Sequence, residues 1–166
     1  MESDAVDNIL EQWSRERPDL DVSAMGVMGR LTRASGMARA DLQQFMRQFG
    51  LEPWEFDVIA TLRRARAEGP LTSGQLAGMT MVGSAAMTNR VDRLVDRGLV
   101  HRETNPRNRR QLLISLTPQG VTLADDVVGH HVENQHKMLA ALDEAEVQTF
   151  SNLLRKFLLS HGDGTD

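Results

Sequence analysis

The sequence predicts a mainly α fold in which a helix-turn-helix runs into a short β-hairpin, and three observations carry that prediction. The first is a helical period after Ser84: Met87, Val91 and Leu94 share one face, Ala85, Asn89 and Arg93 fall on the other, and Arg90 lies on the border. Gly98 stops this helix, as a residue tolerant of a left-handed cap does. The second is a pair of strand-like runs, Leu99 to Thr104 and Gln111 to Leu116. A polar turn, Asn105-Pro106-Arg107-Asn108-Arg109-Arg110, joins them. The third is charge. From Ser84 to Arg110 seven arginines face only Asp92, Asp96 and Glu103, leaving +4, whereas the whole chain is −4 and the remainder therefore −8. A local basic stretch on an acidic body is an electrostatic footprint for DNA, and the overall acidic balance argues against indiscriminate coating of nucleic acid.

The other elements follow in order. Ser3 or Asp4 can cap a first helix with the stripe Val6, Ile9, Leu10 and Trp13, which Pro18 closes. A long Met-rich helix is predicted from Asp21 to Phe49, with Met28, Leu31, Leu42, Phe45 and Phe49 inward and Gly50 as its stop. Glu52-Pro53 opens a third helix, apolar from Phe56 to Leu62 except at Asp57 and Thr61. After the turn Glu68-Gly69-Pro70, Thr72-x-x-Gln75 is a capping box for a short helix reaching Met79. Short helix, turn and outward-polar second helix form the helix-turn-helix. Past the hairpin, Thr117 caps and Pro118 opens a helix to Leu142, with Val121, Ala124, Val128, Val132, Leu139 and Leu142 at helical spacing. Asp143-x-x-Glu146 opens the last helix, with Val147, Phe150, Leu153, Leu154, Phe157 and Leu158 inward. These terminal helices carry more apolar surface than one small domain covers, so a homodimer built from the chain ends is expected.

Composition removes several function classes. With 40% hydrophobic residues spread along 166 positions, the chain supports one domain with helical arms. The absence of Cys excludes disulfides, thiolate zinc sites and thiol redox sensing. No stretch reaches membrane-span length and the acidic start is no signal peptide, so a cytoplasmic protein without membrane contact is expected. Gly-x-Ser-x-Gly, a phosphate-binding Gly-rich loop and His-Glu-x-x-His are all missing, which argues against an enzyme or a cofactor. His130, His131 and His136 share one helix without i, i+4 spacing, so no metal site is assigned and a metal-sensing regulator is only an alternative. A second alternative is a dimeric interaction module whose hairpin domain no longer reads DNA.

The runs Leu94-Val95-Asp96-Arg97-Gly98-Leu99-Val100-x-Arg102, Asn105 to Arg110, and Leu116-Thr117-Pro118-x-Gly120 resemble the MarR family of transcriptional regulators. The resemblance covers about Val22 to Ser160. It implies a winged helix-turn-helix with a small β-hairpin wing and N- and C-terminal dimerisation helices. The implied division is 1–50 for the N-terminal dimerisation helices, 51–117 for the DNA-binding region and 118–166 for the C-terminal dimerisation helices. It also implies a repressor that binds a double-stranded DNA operator as a homodimer. The DNA-facing set is then Ser84, Ala85, Thr88, Asn89 and Arg93 on the reading helix, with Arg107, Arg109 and Arg110 on the wing. The family usually has Asp where this chain has Asn105 and Asn108; Asn keeps the hydrogen-bonding capacity and loses the charge.

The N-terminal extension, Trp13 followed by Arg15-Glu16-Arg17-Pro18-Asp19-Leu20-Asp21, is similar to the urate-responsive subgroup of that family. That likeness implies a binding site for a small anionic aromatic ligand made by Trp13, Asp57, Arg90 and Arg102. Two guanidinium forks suit a planar, oxygen-rich anion, and Trp adds an apolar face and one N–H donor. Asp57 is the implied neutralising partner of Arg90 before the ligand arrives.

Overall fold

Asp4 starts the first element by capping it: its carboxylate accepts from the backbone N–H groups of Val6 and Asp7 at 2.8 and 3.0 Å, while Asp7 accepts from that of Asp4 at 2.9 Å. The computed structural model describes residues 2–81 and 87–164. The chain forms two units, Met1–Asp57 and Val58–Asp166.

The first unit is a helical pair. Helix α1 (Ala5–Glu16) lies along α2 (Ser23–Arg47). Two glycines set their approach: a Cβ added at Gly26 would stand 3.1 Å from a Leu10 methyl, and one at Gly29 would stand 3.3 Å from a Val6 methyl. Arg30 then clamps the pair, its Nε donating to Asp4 at 2.8 Å and its Nη2 to Asp7 at 2.6 Å. This guanidinium, with the Asp7 and Val6 backbone N–H groups, holds the Asp4 carboxyl below the usual carboxylate range. Gly50, at φ +62°, reverses the chain after α2. Leu51 and Phe56 are buried beyond it, Phe56 in helix α3 (Pro53–Arg64), where the unit boundary falls. Met46 is the buried residue of this stretch of α2, whereas Met28, expected inward, is exposed.

The second unit carries strand β1 (Leu71–Thr72), helices α4 (Ser73–Met79) and α5 (Met87–Asp96), strands β2 (Val100–Thr104) and β3 (Leu112–Leu116), and helices α6 (Pro118–Met138) and α7 (Glu144–Ser160). The sheet is antiparallel in the order β1-β3-β2, with Leu71 opposite Ile114 and Arg102 opposite Ile114 on the other side. Strand β1 is too short to be read from alternation. Its core is Ile59, Leu62, Leu71, Leu76, Met87, Val91, Leu94, Val100, Ile114, Ala124 and Val127, all buried. Arg63 ties the end of α3 to α6 through a two-pronged pair with Asp125, at 2.6 and 3.2 Å, which raises the arginine's pKa further. Arg64 donates to the Met79 carbonyl at the end of α4.

Four elements meet at one backbone carbonyl. Gly98 (φ +68°) ends α5, with its N–H on Val95 at 2.8 Å and that of Leu99 on Leu94 at 3.0 Å. The Leu99 carbonyl accepts from Thr117 N–H at 3.1 Å, and the Thr117 hydroxyl donates to the Gly98 carbonyl at 2.7 Å. Thr117 also caps α6, accepting from Gly120 N–H at 3.0 Å. A Cβ at Gly120 would lie 2.0 Å from the Leu99 oxygen, so only glycine lets α6 start there.

Apolar cover runs out along the last two helices. Helix α6 buries Gly120, Ala124 and Val127 but exposes Val132 and Met138, and it ends four residues before the predicted Leu142. Helix α7 has no buried residue; Phe150, Leu153, Phe157 and Leu158, expected inward, are exposed in the single chain. No helix among the described residues is long and apolar enough to cross a membrane.

Two outcomes follow from these contacts. Gly120→Ala should lower stability to urea by about 1–3 kcal/mol or more, since the new methyl meets backbone that cannot rotate away; an unchanged urea midpoint would contradict this. Acid should loosen α1. Because the folded pKa of Asp4 is depressed, its contribution is present above the ordinary carboxylate range and is lost as pH falls through the folded value. Amide exchange at Val6 and Leu10 should report that loss, and Arg30→Gln should weaken its pH dependence without abolishing it, because the Asp7 and Val6 N–H groups still hold the Asp4 carboxylate.

Candidate nucleic-acid interface

Helix α4 is fixed at its start by the box read from the sequence: Gln75 N–H donates to the Thr72 hydroxyl at 3.3 Å and the Gln75 side-chain oxygen accepts from Thr72 N–H at 2.9 Å. Ser84 and Ala85 lie outside the described residues. From Met87 onward α5 divides as its period predicts. Met87, Val91 and Leu94 are buried, Thr88, Asn89 and Arg93 are exposed, and Arg90 is half-buried on the border. A short helix whose polar face is free on the surface can enter the major groove.

The wing continues this surface. Residues Arg107, Arg109 and Arg110 are exposed at its tip, and among the described residues their guanidinium groups have no ion-pair or hydrogen-bond partner. The turn beneath them is closed by the backbone: Asn105 N–H donates to the Gln111 carbonyl at 3.0 Å, Asn108 N–H to that of Asn105 at 3.1 Å, and Gln111 N–H to that of Asn108 at 2.9 Å.

Residues proposed for the ligand divide between the two units. Trp13 stands on α1, 42% exposed, and Asp57 is half-buried in α3, both in the first unit. Arg90 on α5 and Arg102 on β2 belong to the second. Arg102 is ion-paired with Asp92, one turn from Thr88 and on the same helix as Arg90. This pair braces β2 against α5. Reading the sequence did not single out Asp92, although a carboxylate inside an arginine-rich stretch signals an internal partner.

Beside the brace, a cavity of about 290 Å³ opens between the start of α4, α5 and the wing, lined by Thr72, Ser73, Thr88, Arg102, Arg110 and Gln111. Val91 and Leu112 add apolar wall to it, and of its polar groups Arg102 is held by Asp92 and the Thr72 hydroxyl donates to the Gln75 side-chain oxygen at 2.9 Å. No group of three or more metal-ligating side chains among the described residues is placed to hold a metal.

Residues 58–112 match the model of the MarR family. The HTH-type transcriptional regulator PecS of Dickeya dadantii is 38% identical over 141 residues, 85% of each chain. Among solved structures, Bordetella bronchiseptica BpsR, described for the regulation of its DNA binding by 6-hydroxynicotinic acid, is 27% identical. It covers 79% of this chain and 91% of its own at a TM-score of 0.70. A MarR-like regulator from Bacillus cereus, at 20% identity, shares the fold at a TM-score of 0.73 over 82% of this chain and 96% of its own. With its reading helix, wing and flanking helices accounted for, the chain belongs to the MarR family of DNA-binding transcriptional regulators.

Proposed function

We propose that this chain is a cytoplasmic, homodimeric repressor that binds a palindromic operator and leaves it when a small anionic aromatic ligand such as urate is bound. The observation that carries the DNA reading is the division of α5, with Asn89 and Arg93 free on the surface above a fully buried opposite face. Asn suits adenine and Arg suits guanine at base edges in the major groove. Thr88 flanks them, Ser84 and Ala85 complete the set, and Arg107, Arg109 and Arg110 reach phosphates or the adjacent minor groove. Dimerisation through 1–50 and 118–166, flanking the reading region 51–117, is supported by the uncovered apolar residues of α7, of which Leu153 is 61% exposed.

The ligand reading rests on Trp13, Asp57, Arg90 and Arg102, whose residue types match those of the urate-responsive subgroup. BpsR, a relative regulated by an aromatic acid, supports the ligand class. The Asp92–Arg102 pair supplies a mechanism. An anion that takes the Nη1 of Arg102 competes with Asp92 for it, and where it wins the brace between wing and reading helix goes with it. Release requires the ligand to prefer the form that does not bind DNA, because equal affinity shifts nothing. A coupling of roughly 5–150-fold in DNA affinity is the usual range.

On a palindromic duplex selected by the protein from a randomised library, Asn89→Ala should lose discrimination at one base position and keep it elsewhere. Identical profiles for variant and wild type would remove Asn89 from base reading. Arg110→Ala should weaken specific and random duplexes alike and reduce the salt slope by about one contact.

Urate should release wild-type protein, and Trp13→Phe, Asp57→Asn, Arg90→Ala and Arg102→Ala should each blunt that response. Asp92→Asn, lacking the competitor for Arg102, should respond at lower urate concentration. Full response in all four ligand-site variants, or none to urate in wild type, would end this reading.

A further inference from the structure

Carboxylates in this fold capture arginines that come within reach. Arg17 and Asp19, two residues apart, form a two-pronged pair at 2.8 and 2.7 Å. Arg30 is held by Asp4 and Asp7, Arg63 by Asp125, and Arg102 by Asp92. At the wing tip no such pair is formed among the described residues. From Asn105 to Gln111 there are three arginines and no acid, and the positions where a carboxylate could capture them hold amides.

Each amide does a specific job. The Asn105 side-chain oxygen accepts from Arg107 N–H at 2.9 Å, and the Asn108 side-chain oxygen accepts from Arg110 N–H at 3.2 Å. These are two Asx turns in tandem, each on an Asn-x-Arg unit. Holding the backbone N–H of an arginine fixes the direction in which its Cα–Cβ bond leaves the turn. Asn105 also donates through Nδ2 to the Gln111 side-chain oxygen at 3.1 Å, across the neck of the ribbon. An ionised Asp could accept the first two bonds but could not make the third, because it has no proton to donate.

We propose that Asn105 and Asn108 are positioning residues for DNA binding, each aiming the arginine two residues on, and that their being amides keeps those arginines available to phosphate. This rests on the wing contacting DNA. The geometry reduces the ordering that binding would otherwise demand of the loop, and the missing carboxylates leave the full tip charge for counterion release.

The test uses the full chain and the library-selected palindromic duplex, with affinity measured across salt concentration for wild type and for Asn→Ala and Asn→Asp variants at both positions. Amide exchange at Arg107 and Arg110 is followed without DNA. Asn105→Ala should speed exchange at Arg107, and Asn108→Ala at Arg110. Each should weaken DNA binding roughly 3- to 10-fold, the worth of one modest hydrogen bond, with the salt slope kept. Asn108→Asp should leave Arg110 protected, because the turn survives, yet bind DNA more weakly with a salt slope shallower by about one. Asp variants equal to wild type in affinity and slope, or Ala variants with unchanged exchange, would overturn the proposal while leaving the wing on DNA. An Arg110→Ala slope equal to wild type is a different result: it takes the wing off DNA and overturns the premise.

Discussion

The second unit depends on the space beside one oxygen atom. The Leu99 carbonyl marks where the reading helix ends, where the first wing strand begins and where α6 departs, and Thr117 bonds to it and to its neighbour Gly98. Gly98 makes the turn possible by its left-handed backbone, and Gly120 makes the approach possible by having no side chain. The two glycines do unrelated work. One satisfies a dihedral requirement where α5 turns into β2, and the other a volume requirement where α6 passes that turn.

That junction shows what a sequence does and does not disclose. Gly98 was legible because a helical period stops against it, and Thr117-Pro118 because capping residues occur where helices start. Gly120 was visible only as part of a resembling motif, since nothing local reveals that a backbone oxygen from residue 99 will lie against it. Gly26 and Gly29 were hidden for the same reason: they look like weak points in α2 and are in fact the seat of α1. Long-range close approach leaves no periodic trace. The faces of α5 were legible because burial there is decided within one unit. In α7 the stripe was legible, and its excess over what one small domain covers was the ground for expecting a second surface; periodicity alone says which residues are apolar and not what meets them.

Charge shows the same division. The excess of arginine between residues 84 and 110 was plain in the sequence, but its internal division was not. Arg102 is occupied by Asp92, while the tip arginines are unpartnered among the described residues. A net charge of +4 therefore overstates how evenly the surface is basic. Exposed arginine without an acidic partner among the described residues is found at the wing tip and at Arg93 on the outer face of α5.

The amides of the wing tip are also a matter of chemical durability. Asparagine ages to aspartate when the backbone nitrogen of the next residue attacks its side-chain carbonyl and closes a five-membered ring. At Asn105 the next residue is Pro106, whose nitrogen carries no hydrogen and cannot complete that ring. At Asn108 the next residue is Arg109, whose long side chain crowds the attack, and the side-chain oxygen is already held by Arg110 N–H. Neither position has the small, flexible Gly that makes such ageing fast. The protein thus places two amides where a single spontaneous hydrolysis would install an acid beside its arginines, and follows each with a residue that slows that hydrolysis.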